Sequence, residues 1–368
     1  MIKKDVQGRV IIIAEAGVNH NGSVERALKM IDVAADSGVD IIKFQTFNAK
    51  QVITQKTPKA GYQVRTTGDA ESMLEMAQKL ELNNDAHHSL MHHCKERKIE
   101  FLSSPFDMQS MQFLVDDLNL SKVKIGSGEV TNFPMLLAAG QSGRELILSS
   151  GMSTLGEIEA ALGVIAYGFI NKDMPGGDSD IFMEAFSSLE GQDALRKHVS
   201  LLHCTTEYPS DFEDVNLRVM DTMREAFGLP VGLSDHTLGI SVPIAAVARG
   251  AAIIEKHFTL DKNLEGPDHA ASLDPSELSI LVRSIRVVEL SLGNKIKYPT
   301  AVEKKNLPIV RRSLTAACKI VQGEQFTLKN LTTKRPGTGV SATHYWRFLG
   351  TIAGRDYQKD EQIANFNE

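Results

Sequence analysis

The sequence predicts an α/β fold, a (β/α)8 TIM barrel followed by a small, mostly β domain. Two observations lead to this fold class. Eight short hydrophobic runs alternate with helical patterns, and the 368 residues exceed the roughly 250 of a bare barrel. Continuous apolar runs are typical of parallel strands buried on both faces. The eight runs are Arg9–Glu15, Val39–Gln45, Glu100–Ser104, Lys122–Ile125, Glu145–Ser149, Ser200–His203, Pro230–His236 and Ile253–His257.

Each run ends in, or is closely followed by, a polar side chain that can take part in chemistry. The carboxyl ends of barrel strands meet at one rim, and active sites of such barrels lie there. The sequence therefore predicts a site built from these strand ends. The side chains are Glu15, Lys43, Gln45, Ser104, Lys124, Ser127, Ser149, Tyr208, His236 and His257.

Several helices of the barrel have clear boundary signals. Ser23 is a plausible N-cap for a helix over Val24–Ser37, and Gly38 ends it. A further helix is predicted over Asn84–Arg97 and an amphipathic one over Pro275–Leu292. These are the helices whose boundaries the sequence indicates most clearly.

Two segments interrupt the regular alternation. The polar excursion from Asn48 to about Glu71 is too long for a routine connection, so we expect a functional loop at the rim. Asn171–His198 has a Pro-Gly-Gly-Asp core and is predicted to be a surface insertion with a short helix over Ile181–Leu189.

The chain divides into a predicted catalytic barrel over residues 1–292, a linker over 293–307 and a C-terminal domain over 308–368. The linker is polar and rich in lysine. The C-terminal domain has short β-type runs and glycine turns. A domain of about 60 residues buries little of its own core. We therefore expect it to pack against the barrel or against another subunit.

Composition limits the possible partners. The net charge is −6, and no basic block or stripe stands out, so no nucleic-acid partner is predicted. No apolar stretch is long enough to span a membrane, and three scattered cysteines form no disulfide framework. The expected location is the cytoplasm. A few inward-facing lysines could still bind an anionic substrate on this acidic protein.

His236 and His257 end neighbouring strands, which lie about 4.8 Å apart in a sheet. Two imidazoles at the same height could share one metal ion, or each could be a hydrogen-bonded histidine of the rim. A site with two protein ligands is open to water and substrate, as a Lewis-acid role requires. Imidazole with oxygen donors suits Mn²⁺, Fe²⁺, Co²⁺ or Zn²⁺ better than Ca²⁺.

Lys43 and Lys124 are predicted to point into the barrel, where a lysine is costly unless an anion meets it. With the serines at nearby strand ends they indicate a cradle for phosphate or carboxylate; ion pairs with Glu15 or Glu129 are the alternative. Glu15 would lie beside His257 when the barrel closes, either as a general acid or base or as a partner of Lys43.

The motifs at these strand ends resemble those of the sialic acid synthase family, in the same order along nearly the whole chain. The C-terminal part, with Lys334-Arg335-Pro336-Gly337, is similar to the antifreeze-like (SAF) domain of those enzymes. The barrel motifs that carry the resemblance are Ala14–Ser23, Lys43–Phe47, Lys124–Glu129, Leu148–Met152, Gly232–Thr237, Glu255–Thr259 and Gly266–Ser272.

The resemblance implies the condensation of phosphoenolpyruvate with an N-acetylmannosamine-type sugar to give N-acetylneuraminate and phosphate. It also implies a divalent metal, Mn²⁺ first and Mg²⁺ or Co²⁺ as alternatives. In the implied homodimer, the SAF domain of one subunit covers the barrel mouth of the other, and Arg335 reaches the sugar from the partner subunit.

The resemblance also implies a role for each site residue. His236 and His257 match the metal ligands, and Glu15 lies near the reacting atoms. The phosphoenolpyruvate site is matched by Lys43, Ser104, Lys124, Ser127 and Ser149. Further candidate substrate contacts are Gln45, Glu129, Thr206, Tyr208 and Asp268. Thr206 and Ser104 depart from residues common in relatives.

Two other interpretations stay open. The same chemistry could use 2,4-diacetamido-2,4,6-trideoxymannose, as in the legionaminic acid synthases that this sequence also resembles. The second interpretation is a protein of a different class, a barrel that binds sugar phosphates without catalysing a reaction. The complete set of glutamate, lysines and histidines argues against that class.

Overall fold

A computed structural model describes residues 9–364 and contains eight parallel strands in one sheet. Their hydrogen-bonded order is β3-β2-β1-β8-β7-β6-β5-β4, and β3 and β4 lie side by side at the closure. The predicted barrel is confirmed. The strands are β1 Ile11–Gly17, β2 Ile41–Thr46, β3 Glu100–Pro105, β4 Lys122–Ile125, β5 Glu145–Ser149, β6 Val199–Cys204, β7 Val231–Asp235 and β8 Ile253–His257.

Helices lie between and after these strands. None of the helices within residues 9–364 has the length and apolar character needed to cross a membrane. The helices are α1 Val24–Ser37, α2 Ala49–Val52, α3 Gly61–Thr67, α4 Met73–Leu80, α5 Asn84–Arg97, α6 Met108–Gln112, α7 Phe133–Gln141, α8 Leu155–Ile170, α9 Ser179–Ser187, α10 Leu189–His198, α11 Val219–Phe227, α12 Ser241–Ala248, α13 Pro275–Leu292, α14 Ala301–Val310 and α15 Tyr345–Phe348.

The predicted boundary signals of α1 are present in the structure. The side chain of Ser23 accepts a hydrogen bond from the Arg26 amide, and Gly38 ends the helix in the left-handed conformation at φ 78°. A glycine tolerates this backbone without the steric cost that a Cβ would add. The bounds of α5 and α13 are also those predicted.

The inside of the barrel is filled by a layer of large aliphatic side chains below the polar rim. The members of this layer are Ile13, Ile41, Leu102, Ile147, Leu202 and Ile253. Gly232 on β7 leaves the space this packing needs, because a Cβ there would come within 2.3 Å of the Ile253 carbonyl oxygen. The barrel is therefore closed below the rim and open to ligands only above it.

The two irregular segments are more helical than predicted. The excursion after β2 contains α2 and α3 and continues into α4. The insertion forms two helices, α9 and α10, in place of the single short helix expected over Ile181–Leu189. The difference has a local cause: Asp178 caps the first helix, and Ser188 both ends it and caps the second. A polar side chain at a helix start satisfies amides that the helix leaves free.

The C-terminal end of the chain forms its own compact unit, which begins at Asn294. It contains α14, α15 and an antiparallel pair, β9 Ser313–Ala316 with β10 Leu331–Lys334. Within the segment predicted as a linker over 293–307, α14 starts at Ala301 with a Thr300 capping box. The unit has a small core that includes Leu314, Phe326 and Tyr357.

Two buried histidines are expected to make the barrel less stable in acid. His20 and His269 are 1% and 0% exposed, and burial lowers the pKa of each from 6.5 to about 4. The unfolded chain therefore binds more protons between these values. The stabilisation is complete above pH 6.5 and is lost as the pH falls, by about 2 kcal/mol per imidazole at about pH 5.

The variant His20→Asn tests this dependence. The asparagine oxygen can accept the hydrogen bond that the Gly22 amide donates to His20 Nδ1, but it does not titrate. Urea unfolding between pH 7.5 and 5 should show a smaller loss of stability in the variant than in the wild type. If the stabilities of the variant and the wild type fall equally between these pH values, the lowered pKa of His20 is wrong.

Candidate active site

The rim of the barrel encloses a polar cavity of about 150 Å³, called here the inner cavity. Side chains from the ends of all eight strands or the loops that follow them reach it. Its lining is Glu15, Lys43, Gln45, Ser104, Phe106, Lys124, Gly126, Ser127, Gly128, Ser149, Cys204, Thr206, Tyr208, Ser234, His236, Glu255 and His257. The strand ends predicted from the sequence thus converge on one space.

Strand register explains why the charged groups meet. Glu15 on β1 is level with Lys43 on β2 and with His257 on β8. Residues two apart on a strand share a face, so Glu255 points into the barrel below His257. Three neighbouring strands therefore place an acid, a base and an imidazole at the same height.

Two lysines and two glutamates form a buried ion network at the floor of the inner cavity. Lys43 Nζ lies 3.0 Å from Glu15 Oε2 and 3.5 Å from Glu255 Oε2. Lys124 Nζ lies 3.7 Å from Glu255 Oε1. All four residues are at most 4% exposed. Buried charges are stable only when they are paired. Because the two glutamates pair with the lysines, the ammonium groups are already held in place when an anion enters the cavity.

The network sets different pKa values for its two acids. Burial raises the pKa of Glu15 to about 7, despite the nearby Lys43 ammonium. Burial opposes the ionisation of Glu255, but Lys124 and Lys43 outweigh it and hold its pKa below the ordinary value. Two acids that share lysines thus differ in proton affinity, as in many catalytic sites.

Hydroxyl groups surround the two ammonium groups. Lys43 Nζ donates to Ser104 Oγ at 3.2 Å, and Lys124 Nζ donates to Ser149 Oγ at 2.7 Å. Ser127 Oγ accepts a hydrogen bond from the Gly151 amide at 3.0 Å. Ammonium and hydroxyl donors around one small space form a suitable cradle for a phosphate or carboxylate.

The two predicted histidines lie together at the edge of the cavity. Their ring centroids are 5.5 Å apart, and both rings contact the ring of Tyr208. His236 Nδ1 lies 2.5 Å from the Thr205 carbonyl oxygen, which leaves Nε2 on the other side of the ring. Burial lowers the pKa of both imidazoles.

This arrangement fits a divalent metal held weakly. His257 Nδ1 is buried and, among the described residues, has no hydrogen-bond partner; Asp268 Oδ2 lies 3.9 Å away. No group of three or more histidine, cysteine, aspartate or glutamate side chains within residues 9–364 is arranged to hold a metal ion. Two imidazoles with water and substrate oxygens would complete the coordination of such an open site.

A second cavity of about 270 Å³, called here the outer cavity, adjoins the first. The two share Gln45, Phe106, Tyr208 and His257 in their linings. Asp268 lines the outer cavity, and burial raises the pKa of its carboxyl to about 6. Of the two predicted sugar contacts, Tyr208 therefore lies at the junction of the cavities, and Asp268 lines only the outer one.

Two candidate substrate residues have partners of their own. Glu129 was expected beside the lysines, but the short 3-10 turn Ser127–Glu129 directs its carboxylate to Asn132, whose Nδ2 donates to it at 2.6 Å. Arg335 belongs to the C-terminal unit, where its Nε donates to the Val310 carbonyl at 2.9 Å. Thr206 and Gln45 do line the inner cavity.

Glu255 is the main residue that the sequence reading missed. It links both lysines and accepts a hydrogen bond from Ser234 at 2.8 Å. The signal was available, because Glu255 stands two residues before His257 and so shares its face. Cys204 also lines the inner cavity, and its Sγ lies 3.1 Å from Ser127 Oγ.

The fold and the cavities define a (β/α)8-barrel protein with two buried lysines beside two histidines at its rim. A family model described as the NeuB family matches residues 30–297. The match spans more than half of the chain, so the chain belongs to the NeuB family.

Known proteins agree with this membership. The N,N'-diacetyllegionaminic acid synthase of Campylobacter jejuni is 49% identical over 96% of this chain and 99% of its own. A synthase of the same name from Legionella pneumophila is 41% identical over 92% of this chain and 89% of its own. The solved N-acetylneuraminic acid synthetase of Leptospira borgpetersenii is 31% identical, with a TM-score of 0.66, over 81% of this chain and 90% of its own.

Proposed function

We propose that this protein condenses phosphoenolpyruvate with 2,4-diacetamido-2,4,6-trideoxymannose and water to give N,N'-diacetyllegionaminic acid and phosphate. The observation that carries the chemistry is the pair of buried lysines beside two histidines. The choice of sugar is supported by the names of the two relatives that are 49% and 41% identical. These relatives favour the diacetamido sugar over N-acetylmannosamine, the first expectation from the sequence.

Lys43 and Lys124 hold the phosphate and carboxylate groups of phosphoenolpyruvate in this proposal. The hydroxyls of Ser104 and Ser149 already contact these ammonium groups and would orient them. Carbon 3 of phosphoenolpyruvate then attacks the aldehyde carbon of the open-chain sugar. Water adds to carbon 2, and phosphate leaves by cleavage of the C–O bond. Positioning and fixed charge supply much of the acceleration.

Glu15 is placed to move a proton in this reaction. Its Oε2 lies 3.0 Å from Lys43 Nζ, Gln45 Nε2 lies 3.4 Å from its Oε1, and the residue is level with His257 on β8. Both cavities share Gln45, so Glu15 stands near the point where the two substrates must meet. A carboxyl group at that point can serve as general acid or base.

His236 and His257 would hold the divalent metal, Mn²⁺ first and Mg²⁺ or Co²⁺ as alternatives. When bound, the metal would polarise the aldehyde oxygen as a Lewis acid. His236 is oriented for this role by its hydrogen bond to the Thr205 carbonyl. Such a partner on Nδ1 leaves Nε2, which lies 3.4 Å from Ser234 Oγ, as the nitrogen that would bind the metal.

His236→Ala should therefore weaken Mn²⁺ binding by at least about tenfold and abolish metal-dependent turnover. Binding is measured by electron paramagnetic resonance of Mn²⁺ in the presence of phosphoenolpyruvate, which gives a readout independent of activity. His92→Ala, a change at an exposed histidine on α5, is the control. Unchanged Mn²⁺ binding with retained turnover would rule out the two-histidine site.

A side-by-side assay tests the reaction and the sugar together. Phosphate release is measured with phosphoenolpyruvate, Mn²⁺ and either 2,4-diacetamido-2,4,6-trideoxymannose or N-acetylmannosamine. We expect kcat/KM to be higher for the first sugar. A preference for N-acetylmannosamine would overturn the choice of sugar, and no phosphate release with either would favour a protein that only binds sugar phosphates.

We also propose a homodimer in which the C-terminal unit is an SAF domain and Arg335 reaches the sugar in the partner's barrel. Support comes from the resemblance of Lys334-Arg335-Pro336-Gly337 to that domain and from the exposed position of Arg335. Sedimentation at micromolar concentration should give twice the chain mass of 40.3 kDa.

A further inference from the structure

We propose that the outer cavity binds the C4–C6 end of the sugar, and that an apolar face of α4 selects a methyl group over a hydroxyl group there. This inference rests on the proposed function and deepens it. The α4 face consists of Met73, Met76, Ala77 and Leu80, all of which line the outer cavity. It supplies a structural reason for a preference between two closely similar sugars.

The position of the sugar follows from the junction of the cavities. The lysine network lies in the inner cavity, so phosphoenolpyruvate occupies that space. The new C–C bond requires the aldehyde carbon to meet phosphoenolpyruvate, and the shared residues Gln45, Tyr208 and His257 mark the meeting point. The inner cavity, at about 150 Å³, is too small for both substrates. The rest of the sugar must extend into the outer cavity.

The α4 face is a preformed apolar wall of the outer cavity. Its four residues follow the i, i+3, i+4, i+7 spacing of one side of a helix. Met76, Ala77 and Leu80 are 6%, 7% and 9% exposed. Met76 and Leu80 pack with Val18 on the loop after β1. A capping box formed by Ser72 and Glu75 fixes the start of the helix. The wall is therefore held in place before a ligand binds.

The chemistry of this wall distinguishes the two sugars. The four side chains contain no nitrogen or oxygen atom and, beyond the weak thioether acceptors, can neither donate nor accept a hydrogen bond. A hydroxyl group placed against them would lose its water and gain no strong partner, which is unfavourable. A methyl group placed there gains from leaving water. At C6 the trideoxy sugar has a methyl group and N-acetylmannosamine has a hydroxymethyl group. The sugars also differ at C4, where the trideoxy sugar has an acetamido group and N-acetylmannosamine a hydroxyl group.

Polar groups on other segments can bind the hydroxyl and amide groups of the sugar. Asp268 and Tyr208 line the same cavity, and the ring of Tyr62 on α3 contacts that of Tyr208 in a tilted arrangement, with ring centroids 4.9 Å apart. A cavity with convergent polar groups and one apolar wall is typical of a selective small-molecule site. The wall then discriminates between the two sugars at C6, one of the two positions at which they differ.

Met73→Gln tests the wall with a side chain of similar length that can form hydrogen bonds. Met73 is the half-buried first residue of α4, so the change should not disturb the core. We expect the ratio of kcat/KM for the trideoxy sugar to that for N-acetylmannosamine to fall at least tenfold. The KM for phosphoenolpyruvate should not change. The matched control is Met183→Gln on α9, which lines neither cavity.

Ala77→Leu is a second, independent variant because it reduces the volume of the outer cavity. It should raise the KM for the trideoxy sugar at least tenfold and leave the KM for phosphoenolpyruvate unchanged. If the wild type turns over the trideoxy sugar but neither variant changes sugar selectivity or sugar KM, the inference is wrong and the proposed function stands. If the wild type does not turn over the trideoxy sugar, the proposed function is wrong, and the inference that rests on it is wrong as well.

Discussion

Lys124→Ala is expected to lower kcat/KM for phosphoenolpyruvate by about 100-fold or more, the usual cost of removing one fixed donor from a catalytic site. Lys124 is 2% exposed, and its ammonium donates to Ser149 at 2.7 Å inside the inner cavity. The variant retains Lys43, so the site keeps half of its positive charge. The KM for phosphoenolpyruvate should therefore rise much more than the KM for the sugar.

Lys122→Ala is the matched control for this change. Lys122 is on the same strand and face but at its opposite end, where it pairs with Glu100 at 2.7 Å. It lines neither cavity, so its loss should leave both KM values close to those of the wild type. Equal rises in the two KM values for Lys124→Ala would argue against an anion cradle at this lysine.

Lys256→Met is expected to destabilise the barrel by about 3–5 kcal/mol, the cost of breaking a buried ion pair from one side. Lys256 Nζ lies 2.6 Å from Asp235 Oδ2, and both residues are at most 2% exposed. Lys256 also donates to the Thr237 carbonyl. Without the ammonium, Asp235 would remain as an uncompensated charge next to His236. Urea unfolding at pH 7.5 measures the loss.

Two further variants separate charge from packing. Lys256→Met combined with Asp235→Asn removes both charges and should recover most of the lost stability, because the amide can still accept from Thr237. Lys262→Met breaks a more exposed pair with Glu277 and should cost about 1 kcal/mol or less. A small loss for Lys256→Met, similar to that for Lys262→Met, would contradict the assigned role of the buried pair.

The barrel could be predicted because its strands and helices have local signals. Continuous apolar runs such as Val10–Ala14 are typical of buried parallel strands, and Ser23 and Gly38 mark the ends of α1. The convergence of Lys43, Lys124, His236 and His257 follows from the same topology, since the carboxyl ends of all eight strands share one rim.

Other features depend on contacts that the sequence does not specify locally. The direction of Glu129 is set by a tight turn and by Asn132, and a strand-end motif gives no sign of either. The outer cavity needs the excursion after β2 to fold back, so that Val52 and Met73 line the same space as Pro267. Packing between residues that are distant in the sequence therefore determines which of their side chains line the outer cavity.

A crystal grown with Mn²⁺ and phosphoenolpyruvate provides the most direct test of the proposed centre. Anomalous scattering should reveal one cation bound by both His236 and His257, with the substrate phosphate or carboxylate within hydrogen-bond distance of Lys43 and Lys124. An anion bound away from both lysines, or a cation bound without either imidazole, would contradict the account.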